Sequence, residues 1–191
     1  MSATNAPFGL RPAFHPSGLD RATALADGIT SAFASAILKG QPVKYVTGGV
    51  IQPAAAGDAF VGAFAGVEFT DTTGRHRVSN NWPANTAYQT GSCTAYFYAD
   101  PNIVYEIQAD GSLAQTSIGD EADLSATTAG STTTGLSQCT LSTTLVGAGN
   151  SAQMRIVNLA PYPGNDWGDA FTIVRATIAE FQFAGAAGTA I

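Results

Sequence analysis

The chain has 191 residues, long enough for a single domain with a sizeable hydrophobic core. Apolar residues make up 45% of it and charged residues only 12%, about half the fraction usual in soluble domains. Eight Lys and Arg residues against 14 Asp and Glu residues give a net charge of −6. That balance argues against nucleic-acid binding, which needs clustered cations. The low charge suits a subunit with extensive protein contacts, and equally suits a β-domain rich in small residues.

Residues 1–28 are punctuated by proline and glycine, which exclude a helix and favour extended chain. Phe8, Leu10 and Phe14 lie between the prolines, with Arg11 among them. We expect an N-terminal arm that docks these side chains onto a neighbouring subunit. The alternatives are an arm folded back over its own domain and a disordered terminus. Residues 1–12 have neither a basic leader nor an apolar stretch, so we expect synthesis and folding in the cytoplasm. No apolar run approaches membrane-spanning length, and no membrane partner is expected.

From residue 29 the pattern is one of short strands and turns, and we expect one β-domain over residues 29–191. Residues 70–92 are polar and are predicted to form a long loop. The last apolar run, residues 171–183, is too long for one flat strand. We expect it to bend or to divide between two sheets. This pattern predicts an all-β fold, a jelly-roll-like β-sandwich or barrel with an extended N-terminal arm. The main predicted strands are 42–46, 50–52, 60–69, 95–98, 103–108, 137–141, 154–159 and 171–183.

The clearest local signal is the turn Asp100-Pro101-Asn102 between two strand-like segments. Proline presets the backbone at the second turn position, and the flanking side chains can bond nearby backbone groups. We therefore predict a hairpin here. The alternation after the turn predicts a half-buried strand whose inward side chains are Ile103, Tyr105 and Ile107.

Residues suited to catalysis are scarce, and we expect no enzyme, no catalytic residue, no metal site and no cofactor. The only histidines are His15, in the arm, and His76, between two arginines in a predicted loop. Cys93 and Cys139 lie in strand-like segments without metal-ligand spacing, so we expect buried free thiols. The acidic groups at 120–123 and at Asp166 and Asp169 fit surface turns better than paired catalytic carboxylates or calcium ligands.

Trp82 and Trp167 lie in polar loops. Aromatic side chains at such places can contact a carbohydrate or a protein, because they bury a large area at little entropic cost. The equally good alternative is a tryptophan folded back over the end of the core. We keep both tryptophans as candidate contact residues.

Several segments together resemble a known family. The start NAPFGLRP (residues 5–12) is similar to that of small structural proteins encoded beside the major capsid protein in tailed bacteriophages. YADPNIVYEIQ (98–108) and AGVEFTD (65–71) resemble strand motifs of the same family, the capsid decoration or cement proteins. NDWG (165–168) and the last apolar run occupy places where that family has a loop and a C-terminal strand.

The resemblance implies a structural virion protein that binds the outside of an icosahedral shell and cements neighbouring capsomers. Its partners would be the major capsid protein and further copies of itself, as a trimer or, second, as a dimer. Phe8, Leu10, Arg11 and Phe14 would be the arm contacts, and the two tryptophans the loop contacts. The alternatives are a carbohydrate- or receptor-binding domain of a virion or tail, and an enzyme on a β-scaffold.

Overall fold

A computed structural model of the chain describes residues 2–18, 22–147 and 149–184. Strands account for 42% of it and helix for 2%, so the fold is all-β, as the sequence predicts. One turn of 3-10 helix covers Gln115–Ser117. The strands are β1 (Arg11–Phe14), β2 (Thr23–Ala26), β3 (Pro42–Val46), β4 (Val50–Pro53), β5 (Gly62–Thr70), β6 (His76–Ser79), β7 (Thr94–Tyr98), β8 (Val104–Gln108), β9 (Glu121–Ser125), β10 (Gly130–Ser131), β11 (Leu136–Ser137), β12 (Thr140–Leu145), β13 (Met154–Leu159) and β14 (Ile173–Ile178).

The strands form two larger antiparallel sheets and one short hairpin. The first sheet has the order β1-β8-β14-β13-β9-β12. The second has the order β2-β7-β5-β3-β4, with β6 also paired to β5. β10 and β11 form the short hairpin, and Leu136 of β11 also makes an isolated parallel bridge with Lys39. Two antiparallel sheets of this kind are consistent with a β-sandwich, and the jelly-roll topology stays a prediction.

Each large sheet has its own hydrophobic cluster. The first cluster is built mainly from the inward side chains of the first sheet and includes Tyr105 and Ile107. The second cluster lies against the second sheet and includes Phe64, Phe97 and Trp82. Phe181 packs against both clusters, so the two cores are contiguous.

The predicted hairpin at Asp100-Pro101-Asn102 is wrong as a hairpin, although both of its strands exist. β7 pairs with β2 and β5 in the second sheet, whereas β8 pairs with β1 and β14 in the first. The turn chemistry is as expected, because the Asn102 N–H donates to Asp100 Oδ1 at 2.8 Å. The turn therefore carries the chain from one sheet to the other.

β8 is also more buried than its alternation predicts. Ile103, Tyr105 and Ile107 are at most 1% exposed, as expected for core residues. Glu106 and Gln108 on the opposite face are 6% and 1% exposed. The strand is thus buried on both faces rather than half-buried.

The region before the turn agrees with the sequence pattern except at one place. β3 and β4 form the predicted hairpin, and β5 contains a bulge between Phe64 and Gly66 where glycines are frequent. Residues 70–92 are not one continuous loop, because β6 lies within them and pairs with β5. The hydrophobic periodicity does not predict β6, because the strand is polar and exposed and so has no apolar face.

The N-terminal segment belongs to both sheets. β1 pairs with β8, β2 pairs with β7, and Leu10 is 1% exposed within the first cluster. Of the interpretations drawn from the sequence, an arm folded back over its own domain describes this structure. The boundary expected at residue 28 does not separate the described part of the segment from the rest of the fold.

The closing apolar run contacts both sheets, as its length predicts. Its strand, β14, ends at Ile178. Phe181 then forms an isolated parallel bridge with Phe60, the residue that leads into β5 of the second sheet. Residues 185–191 lie outside the described part of the chain.

Candidate protein-interaction face

Glu106 is the centre of a charged cluster on the outer face of the first sheet. Cross-strand registration places it opposite Arg11 on β1 and Arg175 on β14. One carboxylate oxygen, Oε2, accepts a hydrogen bond from Arg11 Nη2 at 2.7 Å, and the other, Oε1, accepts one from Arg175 Nε at 3.3 Å. The Tyr162 hydroxyl donates to Oε2 as well. A buried carboxylate is tolerable only when it is paired in this way.

Aromatic rings cover the two arginines. The Arg11 guanidinium lies 4.7 Å from the centre of the Phe8 ring and 5.4 Å from that of Tyr162. The Arg175 guanidinium lies 5.4 Å from the centre of the Phe14 ring. These distances fall within the range of cation–π attraction. We call these six residues the Glu106 face: Phe8, Arg11, Phe14, Glu106, Tyr162 and Arg175.

The first residues of the chain are held beside this face by Gln108, the outward neighbour of Glu106 on β8. Gln108 Oε1 accepts from the Ala6 N–H at 2.9 Å, and Gln108 Nε2 donates to the Thr4 carbonyl at 3.0 Å. Ser2, which is fully buried, donates through its hydroxyl to Asp169. These hydrogen bonds tie Ser2, Thr4 and Ala6 to the first sheet and the loop before β14.

A second connection lies at the other end of β1. His15 Nε2 is 3.0 Å from Asp100 Oδ2, in the turn that joins β7 to β8. The backbone N–H of Asn102, followed by its side chain and by His15, holds the pKa of Asp100 below its usual value. His15 thus connects the end of β1 to the turn between β7 and β8, which is a structural role.

The Glu106 face exposes aromatic and guanidinium groups around a hydrogen-bonded carboxylate. Phe14 is 43% exposed and the Arg11 side chain is 50% exposed, while Glu106 beneath them is nearly inaccessible. Aromatic and arginine side chains dominate the binding energy of many protein interfaces, and fixed positions reduce the entropy lost on binding. The arrangement is suited to contact with another protein.

The structure separates the residues proposed from the sequence. Phe8, Arg11 and Phe14 come together on the Glu106 face, whereas Leu10 points into the first core. The prediction that Leu10 contacts a partner is wrong, because its side chain is buried in the core of its own chain.

The prediction that Trp82 is a surface contact is also wrong. None of its side chain is exposed, and it packs edge-on against Phe69 and Tyr88 in the second core. Its indole N–H has no hydrogen-bond acceptor among the described residues. The alternative interpretation, a loop tryptophan folded back into the core, applies to it. Trp167 is half-buried and packs against the first core. It is not one of the six residues of the Glu106 face.

Glu106, Tyr162 and Arg175 were not identified from the sequence. Glu106 and Arg175 each occupy an outward position of an alternating strand, but only strand pairing sets them opposite Arg11. Tyr162 lies between two prolines in a polar loop and carries no signal of its own. The one usable clue was an acidic residue inside an otherwise apolar strand, which needs a cationic partner when it is buried.

Other candidate chemistry has ordinary structural explanations. Both cysteines are buried and free, as predicted, and desolvation raises the thiol pKa to about 11 for Cys93 and about 12 for Cys139. Glu121 pairs with Arg155, and Asp169 accepts hydrogen bonds from Ser2 and the Asp166 N–H. In residues 2–18, 22–147 and 149–184, no three His, Cys, Asp or Glu side chains are grouped as metal ligands would be. No helix in those ranges has the length and apolarity to cross a membrane.

Comparison with known proteins adds no assignment. No family model matches the chain, and no curated protein or solved structure is detectably similar to it.

Proposed function

We propose that this chain is a structural virion protein that binds the outer surface of a tailed-phage capsid and cements neighbouring capsomers. The observation that carries the proposal is the Glu106 face. There the NAPFGLRP segment, which resembles the start of decoration proteins, holds Phe8 and Arg11 in a fixed surface beside Phe14. The all-β fold and the low content of charged residues are compatible with such a role.

In this proposal the partner is the major capsid protein, and the chain acts as a homotrimer, with a homodimer as the second choice. Each copy contributes a modest contact, and repetition by symmetry across the shell makes the total binding strong. Phe14 and Arg11 are the side chains that reach the partner, while Glu106 fixes their positions from below. Leu10 contributes indirectly, because it anchors the segment in the core.

Removal of residues 1–16 is an ambiguous test, because it also removes β1 and a core leucine. A point substitution on the Glu106 face is sharper. Purified Phe14→Ser is mixed with undecorated capsids of the phage that encodes the chain, and bound protein is measured by sedimentation. The matched control is Phe183→Ser, since Phe183 is also exposed, at 60%, but lies outside the Glu106 face.

We expect Phe14→Ser to lower the affinity for capsids at least about tenfold, as for an interface hot spot, and Phe183→Ser to bind like the wild type. Equal binding by all three proteins would refute the assigned face. Failure of the wild-type protein to bind capsids at all would refute the function. Light scattering of the free protein measures its oligomeric state independently.

The second candidate, a carbohydrate- or receptor-binding domain, now depends on Trp167, since Trp82 is buried. A glycan array probed with the wild type and with Trp167→Ala distinguishes it. Binding that disappears in the variant would favour this function over capsid cementing.

A further inference from the structure

β6 (His76–Ser79) forms an exposed edge of the second sheet, far along the chain from the Glu106 face. One side of the strand pairs with β5 from Thr70 to Val67, and no strand of the described chain pairs with its other side. Val78 is 76% exposed, the highest value among the large apolar side chains of the described residues. Unpaired edge strands of this kind can accept a further strand from another protein.

Two open depressions border this strand. Val78 lines one of about 320 Å³ together with Gly66 and Tyr96, on the side of β6 that pairs with β5. Val78 and Arg77 border another of about 390 Å³, together with Phe69 and Pro83. Side chains of an added strand point alternately to the two faces of a sheet, so they would lie next to Val78 on one face and Arg77 on the other.

The residues at this edge are basic, which favours an acidic strand as the partner. Arg75, His76 and Arg77 are consecutive, in a chain with only eight Lys and Arg residues and a net charge of −6. Arg77 Nε donates to Asp71 Oδ2 at 3.1 Å. The other oxygen of Asp71 accepts hydrogen bonds from the Arg75 backbone N–H and from Thr73. Both carboxylate oxygens of Asp71 therefore already have donors within the chain. Within the described residues, the Arg75 guanidinium takes part in no ion pair.

We propose that β6 is a docking edge for an extended acidic segment of another protein, which adds to the second sheet as a further strand. Backbone hydrogen bonds supply the pairing, Val78 supplies an apolar contact, and Arg75, which forms no ion pair within the described residues, selects carboxylates on the incoming strand. A second copy of this chain fits less well, because two β6 strands carry basic residues of the same sign and offer no acidic strand to each other. The inference goes beyond the proposed function and does not depend on it.

The test uses the full-length, isotope-labelled protein and a short soluble peptide in which Glu and Val alternate. Amide chemical shifts and hydrogen exchange are followed as the peptide is added at low ionic strength. We expect changes centred on His76–Ser79, slower exchange of amides in that strand, and no binding of the corresponding Lys–Val peptide.

Two variants with the same change in charge complete the design. Arg75→Glu places a carboxylate on the edge and is expected to weaken peptide binding at least about tenfold. Lys39→Glu is the control, because Lys39 is exposed, is not part of β6 and forms no ion pair within the described residues. It is expected to leave the affinity within about twofold of the wild type.

Three outcomes would overturn the proposal. One is the absence of binding to the wild-type protein, as expected if the arginines only protect the edge from aggregation. Another is equal binding to Arg75→Glu, or shifts located elsewhere on the protein. The third is a doubled mass by light scattering that reverts to monomer in Arg75→Glu without peptide, which would assign the edge to a second copy. None of these measurements uses a capsid, so failure here leaves the proposed function untouched, and the reverse also holds.

Discussion

Glu106 shows how a charged side chain becomes part of the fold. It is 6% exposed, yet its two oxygens accept hydrogen bonds from two arginines and a tyrosine hydroxyl. The arginines remain partly in solvent and are covered by aromatic rings on their other faces. The carboxylate therefore fixes the positions of exposed groups without being exposed itself.

Replacement of Glu106 by Gln tests this arrangement. The neutral amide accepts weaker hydrogen bonds from both arginines, so we expect the free energy of unfolding to fall by about 1.5–3 kcal/mol. Urea denaturation monitored by circular dichroism measures the change. The matched variant is Asp58→Asn, because the side chains of Asp58 and its partner Lys44 are both about a third exposed, at 31% and 30%. Solvent screens that pair, and we expect a loss of about 1 kcal/mol or less. Equal losses in the two variants would contradict the special position of Glu106.

At the scale of elements, the connection between β7 and β8 determines how the sheets are joined. Gly62, at the start of β5, lies against the end of β7. A Cβ atom added there would stand 1.5 Å from the Tyr98 carbonyl oxygen and 3.1 Å from the Tyr105 hydroxyl. Glycine is required at this position because the backbones of β5 and β7 approach each other so closely.

We predict that Gly62→Ala is strongly destabilising. The clash is with backbone, which cannot rotate away as a side chain can, so we expect a loss of at least about 3 kcal/mol or failure to fold. Gly111→Ala is the control, because its nearest new neighbour is the Thr143 side chain at 3.4 Å, an ordinary contact. It is expected to change stability by about 0.5 kcal/mol or less. Thermal unfolding of both variants measures the difference, and similar melting temperatures would refute the packing argument.

For the molecule as a whole, several aspartates couple stability to pH in the same direction. Hydrogen bonds from the Thr73 side chain and the Arg75 N–H lower the pKa of Asp71. The pKa of Asp100 is lowered chiefly by the Asn102 N–H, and that of Asp169 chiefly by the Ser2 hydroxyl. All three carboxylates accept hydrogen bonds that close turns or hold Ser2, and these hydrogen bonds are stronger while the carboxylates are ionised.

We therefore predict loss of stability in acid. The unfolded carboxyls titrate near a pKa of about 3.9, above the folded values, so the unfolded state binds protons first. The contribution of these groups is fully present above about pH 5 and declines as the pH falls below about 4. Urea midpoints measured from pH 7 to pH 3 give the profile, and Asp71→Asn is expected to flatten it. A midpoint that rises on acidification would contradict the assignment.

The sequence by itself determined the fold class, most strand positions, the inward side chains of β8 and the burial of both cysteines. These properties depend on local alternation, turn chemistry and hydrophobicity, which a short window of residues contains. The sequence did not predict β6, because an exposed strand has no apolar face to detect.

Only the tertiary structure decided which strands pair, and with that everything about the candidate sites. The turn Asp100-Pro101-Asn102 fits a hairpin and a passage between sheets equally well, because the same local hydrogen bonds serve both. Arg11, Glu106 and Arg175 are separated by 95 and 69 residues in the chain, and strand pairing alone brings them within hydrogen-bonding distance. Leu10 and Trp82 turned inward for a related reason, since the cores formed by distant strands had space for large apolar side chains that no local pattern reveals.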